Sequence, residues 1–173
     1  TTTAATVASV LRMQDPPIHV SFQMCSHHRL IGRRRKASVV ASAFEWHRYR
    51  LGVSNRWRRA QELAASEGID AILVTPGADL RYLTGYTALP LERLTCLVLP
   101  ASGDPTLVVP ALEAPAAKAS GVDVAIATWG ELDDPFALVS DLVGDAATVG
   151  LDDHMWASRV FALREALPNA RQV

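Results

Sequence analysis

From residue 54 onward, hydrophobic and polar positions follow two periods, one typical of helices and one typical of buried strands. Four residues fall at helical spacing on one face: Trp57, Ala60, Leu63 and Ala64. Ser54 can cap the amino terminus of this helix, and Gly68 is a suitable residue to end it. The short apolar run Ile69–Val74 then predicts a strand covered on both faces of a sheet.

The same pattern continues to the end of the chain. Turn residues separate apolar runs that predict further strands over 94–99, 106–109, 122–127, 147–151 and 170–173. Helices are predicted over 112–119, 135–143 and 157–167, with one helical turn from Leu80 to Leu83. Ser102-Gly103-Asp104 is typical of a hairpin turn. This alternation predicts an α/β fold, a mixed β-sheet flanked by helices.

Residues 1–52 lack this periodicity and differ in charge. Residues 1–50 hold eight basic and two acidic residues, a balance of +6, whereas residues 51–173 hold nine basic and sixteen acidic residues, a balance of −7. The formal net charge of −1 hides this contrast. We therefore predict a basic, disordered amino-terminal extension over 1–52 and one folded domain over 53–173.

Composition excludes several classes of protein. A hydrophobic content of 49% supports a packed core and argues against disorder of the whole chain. The two cysteines, Cys25 and Cys96, are far apart, which excludes a disulfide scaffold and a zinc site built from cysteine pairs. No apolar run approaches the length of about 18 residues that a membrane helix needs. Glycine-rich phosphate loops, the G-x-S-x-G elbow and H-E-x-x-H are also missing from the sequence.

Three clusters carry chemistry that could bind a ligand. Asp152-Asp153-His154 offers oxygen and imidazole ligands, but consecutive residues rarely converge on one ion, so we interpret it as an exposed loop that caps the last helix. Cys25-x-His27-His28 lies in the predicted extension without a supporting shell. The run Arg33–Lys36 has no interleaved aromatic residues and is interpreted as a solvated basic segment. We accordingly predict no nucleic-acid and no membrane partner.

The segment from Tyr82 to Tyr86, followed by Arg93, could offer aromatic faces and a guanidinium to a ligand. The guanidinium is suited to a carboxylate because its planar fork binds both oxygens. The alternative is that Tyr82 and Leu83 belong to the core and that Arg93 is a surface charge. Residue chemistry alone favours this alternative.

An ordered set of short segments then identifies a resemblance. The chain from about residue 53 to 173 resembles the N-terminal domain of the creatinase, prolidase and aminopeptidase P group. The matching segments are, in chain order, Gly68-Ile69-Asp70-Ala71, Asp79-Leu80-Arg81-Tyr82-Leu83-Thr84-Gly85-Tyr86, Arg93, Gly103-Asp104-Pro105, Leu107-Val108-Val109-Pro110, Leu112-Glu113 and Val149-Gly150-Leu151-Asp152.

The resemblance implies a supporting role and not a catalytic one. Relatives of full length carry a second domain whose two divalent metals (Mn, Co or Zn) are held by two Asp, one His and two Glu, and they cleave the bond before proline. None of these ligands can be assigned in this chain, so we predict no catalytic and no metal-binding residues here and no cofactor of its own. We also predict a cytoplasmic location.

The expected partners are the peptidase catalytic domain, a second subunit and a proline-containing peptide. In some relatives the loop after Tyr82-Leu83-Thr84-Gly85 reaches the substrate pocket of the neighbouring subunit. Tyr86, Leu89 and Arg93 are therefore the candidates for substrate contact in trans. Two alternatives remain: a stand-alone, non-catalytic module that binds peptide or protein, and an adaptor that the basic extension tethers to nucleic acid or membrane in a salt-sensitive way.

Overall fold

The structure is a computed structural model and describes residues 55–173. The elements are α1 (residues 55–66), β1 (Ala71–Val74), α2 (Ala78–Thr84), β2 (Cys96–Pro100), β3 (Thr106–Pro110), α3 (Ala114–Ala119), β4 (Ala125–Trp129), α4 (Pro135–Val143), β5 (Thr148–Leu151), α5 (Ala157–Ala166) and β6 (Arg171–Gln172). The Ser54 cap, the extension 1–52 and its two motifs, Cys25-x-His27-His28 and Arg33–Lys36, lie outside the described residues. The domain boundary at residue 53 stays a prediction.

The six strands form one mixed sheet in the order β4-β3-β2-β1-β5-β6. The central pairs β1–β2 and β2–β3 are antiparallel, and the pairs β3–β4, β1–β5 and β5–β6 are parallel. Five strands therefore end at the same edge of the sheet, and β2 begins there. We call this side of the domain the carboxyl edge. The loops after β1, β3, β4 and β5, and the loop before β2, all meet at it.

Helices cover both faces of the sheet, which explains the apolar runs. Helices α1, α2 and α3 pack over one face, and α4 and α5 pack over the other. Side chains of β1 alternate between these two layers: Ile72 and Val74 face the first, and Leu73 faces the second. All three side chains are fully buried. The predicted α/β sheet with helices on its faces is confirmed.

The predicted hairpin between β2 and β3 is also present. Gly103 adopts a φ of 101°, a conformation that side-chain-bearing residues rarely take. The buried amide of Gln61 in α1 donates to the carbonyl oxygens of Pro100 and Gly103 at 2.7 and 2.9 Å. These bonds fix the hairpin to the helix that crosses it.

Strands β1, β2 and β4 and helix α3 each begin later than predicted, and the structure gives a reason for β4 and α3. Strand β4 starts at Ala125 and not at residue 122, because pairing with β3 aligns Thr106 with Ala125, while Val122 and Val124 pack against the helical layer before the strand starts. Helix α3 starts at Ala114 and not at residue 112, since residues 111–113 form a turn in which Leu112 is exposed.

Within residues 55–173, no helix has the length and apolar character needed to cross a bilayer.

Candidate functional site

A buried carboxylate joins the ends of two parallel strands at the carboxyl edge. Asp152 follows β5 and is only 7% exposed. Its Oδ2 accepts hydrogen bonds from the backbone N and the Oγ1 of Thr75, both at 2.6 Å, and its Oδ1 accepts one from the backbone N of His154 at 2.8 Å. Its own backbone N donates to the carbonyl of Leu73 at 3.1 Å. Asp152 therefore fixes the turn after β1 to the loop after β5.

The interpretation of Asp152-Asp153-His154 as an exposed loop that caps the last helix is wrong for Asp152. This carboxylate is drawn inward because Thr75 and His154 supply three donors for it. The capping role is also wrong, since Trp156 precedes α5 and no side chain caps that helix. Only Asp153 and His154 are exposed, as predicted.

The structure adds a third residue to these two. Ligand atoms of Asp79, in the first turn of α2, and of Asp153 and His154 lie within 4.8 Å of one another. Asp153 Oδ1 lies 2.7 Å from His154 Nδ1. Among residues 55–173, this is the only cluster of three or more His, Cys, Asp or Glu side chains that could hold a metal ion. It contains no glutamate and only three ligands, so it does not fit the two-metal centre that the resemblance implies.

The structure separates the three residues expected to contact a substrate. Tyr86 is 6% exposed and packs in the layer of α1, α2 and α3, where burial, and then Glu113, raise the pKa of its phenol. Leu89 is 65% exposed, and Arg93 is partly exposed with its Nη2 at 2.6 Å from Glu131 Oε1. Leu89 and Arg93 thus lie on the accessible part of the loop before β2. The buried Tyr86 anchors the start of this loop.

The alternative interpretation of this segment is correct in part. Leu83 is fully buried in the core, and Arg93 is a surface charge, as that interpretation requires. Tyr82, however, is exposed. Its ring lies 4.6 Å from the guanidinium of Arg56, which also donates to the Tyr82 carbonyl at 3.1 Å.

A residue that the sequence did not single out lies beneath this loop. Arg159 in α5 is 4% exposed, and its Nη2 donates to the carbonyl oxygen of Leu91 and, at 3.5 Å, to that of Arg93. Its guanidinium lies 4.7 Å from the ring of Trp156. Burial lowers the pKa of Arg159, and the nearby Cys96 and Asp152 act in the opposite direction. The sequence signal that could have identified Arg159 is its helical spacing with Leu163, because both residues face the core.

The carboxyl edge also concentrates exposed apolar side chains. Of the seven large apolar residues that are exposed between residues 55 and 173, five lie on its loops. They are Leu89 and Leu91 before β2, Leu112 after β3, Leu132 after β4 and Trp156 after β5. Exposed apolar patches are typical of interaction sites.

Comparisons with known proteins agree with this fold. The family model "Creatinase/Prolidase N-terminal domain" matches residues 56–173. A probable dipeptidase PepE of Mycobacterium tuberculosis is 39% identical over 118 residues, which cover 66% of this chain and 32% of the relative. The chain thus spans about a third of the length of such curated relatives.

Solved structures show the same architecture. The dipeptidase PepE from Mycobacterium ulcerans superposes with a TM-score of 0.65 and 38% identity over 71% of this chain and 34% of that chain. The N-terminal domain of the Xaa-Pro dipeptidase from Lactobacillus brevis gives a TM-score of 0.60 at 22% identity over 68% of this chain and 89% of that domain, which supports the fold alone. The chain belongs to the creatinase/prolidase N-terminal domain family.

Proposed function

We propose that this chain is the N-terminal, non-metal domain of a metallopeptidase that resembles Xaa-Pro dipeptidase and aminopeptidase P. Its role is to assemble subunits and to shape the substrate pocket of a neighbouring subunit. Support comes from family membership and from relatives named as dipeptidases that are about three times as long as the matched region. In this proposal the two divalent metals belong to a separate catalytic domain, and the protein acts in the cytoplasm.

The concentration of apolar side chains at the carboxyl edge is the observation that carries this proposal. Covering one exposed leucine side chain completely stabilises an interface by about 1.5–3 kcal/mol. Leu112 and Leu132 are 77% and 102% exposed, so both have most of this area still to bury. Val173 lies at the same edge, where its carbonyl accepts a hydrogen bond from Leu151. A domain joined to Val173 would therefore start at the carboxyl edge, next to the loop after β5 that carries Trp156.

The loop before β2 supplies the contacts proposed for the substrate. The guanidinium of Arg93 can pair with a carboxylate of a short peptide, and the exposed side chain of Leu89 can pack on a proline ring. Tyr86 takes part as the buried anchor of this loop. All three residues of the predicted set thereby keep a role, but only Leu89 and Arg93 touch the peptide.

Activity measurements on the full gene product test the proposal. We expect hydrolysis of Ala-Pro that depends on added Mn²⁺ from the full gene product and none from the 173-residue chain. Peptidase activity of the 173-residue chain would refute the proposal. A gene that ends at the Val173 codon would also refute it and would favour a stand-alone module that binds peptide or protein.

Two variants examine the role of the surface. Leu89→Ala should raise KM for Ala-Pro several-fold with little change in kcat, because it removes a binding contact and no reacting group. Phe161→Ala is the matched control, since Phe161 in α5 is similarly exposed, at 60%, and lies outside the loops of the carboxyl edge.

Leu112→Glu should shift the sedimentation coefficient of the assembled protein toward that of a single subunit. An unchanged sedimentation coefficient would contradict the role of this edge in assembly.

A further inference from the structure

We propose that Arg159 is a positioning residue that holds the loop before β2 in the conformation that presents Leu89 and Arg93. This inference rests on the proposed function, because the importance of the loop conformation comes from the substrate contacts assigned to it. The physical part, a buried arginine that fixes an exposed loop, stands on the contacts of Arg159 alone.

The loop has few bonds of its own. Between residues 87 and 93, its only internal backbone hydrogen bond within the described chain joins Leu91 N to Leu89 O at 2.9 Å. The loop has no helical or strand structure, and Pro90 lacks an N–H donor. Its shape therefore depends on contacts from outside, and the guanidinium of Arg159 supplies two of them.

The chemistry of arginine suits this task. Each terminal guanidinium nitrogen carries two hydrogens, so the Nη2 of Arg159 can donate to the carbonyls of Leu91 and Arg93 together. Arg93 is thereby held at two points, through its carbonyl by Arg159 and through its guanidinium by Glu131. The backbone and the side chain of this candidate contact are thus fixed independently.

The position of Arg159 would suit an apolar residue. It lies one helical turn before the fully buried Leu163, on the face of α5 that packs on the sheet. A charge at such a position is unfavourable unless it is compensated and hydrogen-bonded. Asp152 supplies nearby negative charge, and Trp156 covers the guanidinium. Packing alone gives no reason for a charged group here, whereas donation to the two loop carbonyls does.

Trypsin provides a direct measure of this contact, because it cleaves the Arg93–Leu94 bond, whose carbonyl accepts from Arg159. In the 173-residue chain, Arg159→Met should speed cleavage at this bond by about tenfold, since local opening exposes it. Arg164→Met is the matched control on the exposed side of the same helix and should leave the rate unchanged. Urea unfolding of the same variants is the control for global stability, and cleavage at Arg93–Leu94 should increase by more than the change in the free energy of unfolding accounts for.

Kinetics of the full gene product then separate positioning from a merely structural role. We expect Arg159→Met to raise KM for Ala-Pro several-fold with kcat nearly unchanged, and Arg159→Lys to restore part of the loss. An unchanged rate at Arg93–Leu94 in Arg159→Met would overturn the inference. A changed KM in Leu89→Ala but not in Arg159→Met would overturn it too and leave the proposed function intact. If Arg159→Met loosens the loop while neither variant changes KM, the proposed substrate contact is what fails.

Discussion

Replacing Asp152 with alanine should destabilise the domain far more than the same change at the adjacent Asp153. The two residues have the same side chain and follow the same strand, but Asp152 is buried and Asp153 is exposed. Asp152 accepts three hydrogen bonds at 2.6, 2.6 and 2.8 Å from Thr75 and His154. Asp153 faces His154 at the surface. The pair therefore isolates the effect of burial and bonding.

The size of the effect follows from these contacts. One hydrogen bond to an ionised group contributes about 1.5–3 kcal/mol, and the contributions of three bonds to one carboxylate do not simply add. The change also removes a negative charge whose field acts on the buried Arg159. We therefore expect Asp152→Ala to lower the free energy of unfolding by about 3–5 kcal/mol, less than the sum of three such bonds. The whole free energy of unfolding of a domain of this size is about 5–15 kcal/mol.

Urea unfolding followed by circular dichroism measures this difference. With a slope of about 2 kcal/mol per molar urea, the midpoint should fall by about 2 M in Asp152→Ala. Asp153→Ala should change the free energy of unfolding by less than about 1 kcal/mol, because exposed ion pairs contribute little. Asp152→Asn keeps the side-chain volume and one acceptor oxygen, so its urea midpoint should lie between those of the two alanine variants. Equal midpoints for the two alanine variants would refute the reasoning.

Three further predictions concern other parts of the domain. In a Cys25→Ser variant, the Cys96 thiol should react with Ellman's reagent only after urea unfolding, because burial raises its pKa from 9.0 to about 12. Since the unfolded thiol loses its proton first, thermal melts should show stability falling as pH rises from about 9 to about 12. Asp134→Ala should lower the free energy of unfolding by about 1 kcal/mol in urea titrations, because the carboxylate caps α4 by accepting from Phe136 N at 2.9 Å. Gln61→Leu should lower the urea midpoint by an amount that corresponds to about 1–3 kcal/mol, because two carbonyls of the β2–β3 hairpin lose their donor.

Local pattern predicted the fold because each strand of the sheet centre is covered on both faces. The runs that became β1, β2 and β3 are continuously apolar, and their side chains are buried in both helical layers. Strand β4 was the exception. Val122 and Val124 have the apolar character of strand residues, but the start of this strand is set by pairing with β3, which local pattern does not contain.

The candidate site was harder to predict because its buried charges depend on distant residues. Asp152 finds its donor Thr75 across 77 positions of sequence, and Arg159 finds the carbonyl of Leu91 across 68 positions. Helical spacing with Leu163 places Arg159 on the core face of its helix, but no local pattern identifies the donors of Asp152 or the carbonyls that Arg159 contacts. The resemblance to known domains directed attention to the loop before β2, but the tyrosine within it, Tyr86, proved to be buried.

The arrangement of charge and apolar surface at the carboxyl edge determines how a partner can bind there. The charges of Asp152 and Arg159 are already bonded beneath the loops, so a partner that covers Leu89 and Leu112 leaves their hydrogen bonds intact. The exposed charges on the same loops, which include Arg93, Glu131, Glu92 and Asp153, would lose water wherever a partner covers them. Apolar burial should therefore supply affinity, and salt should act on association through these exposed charges.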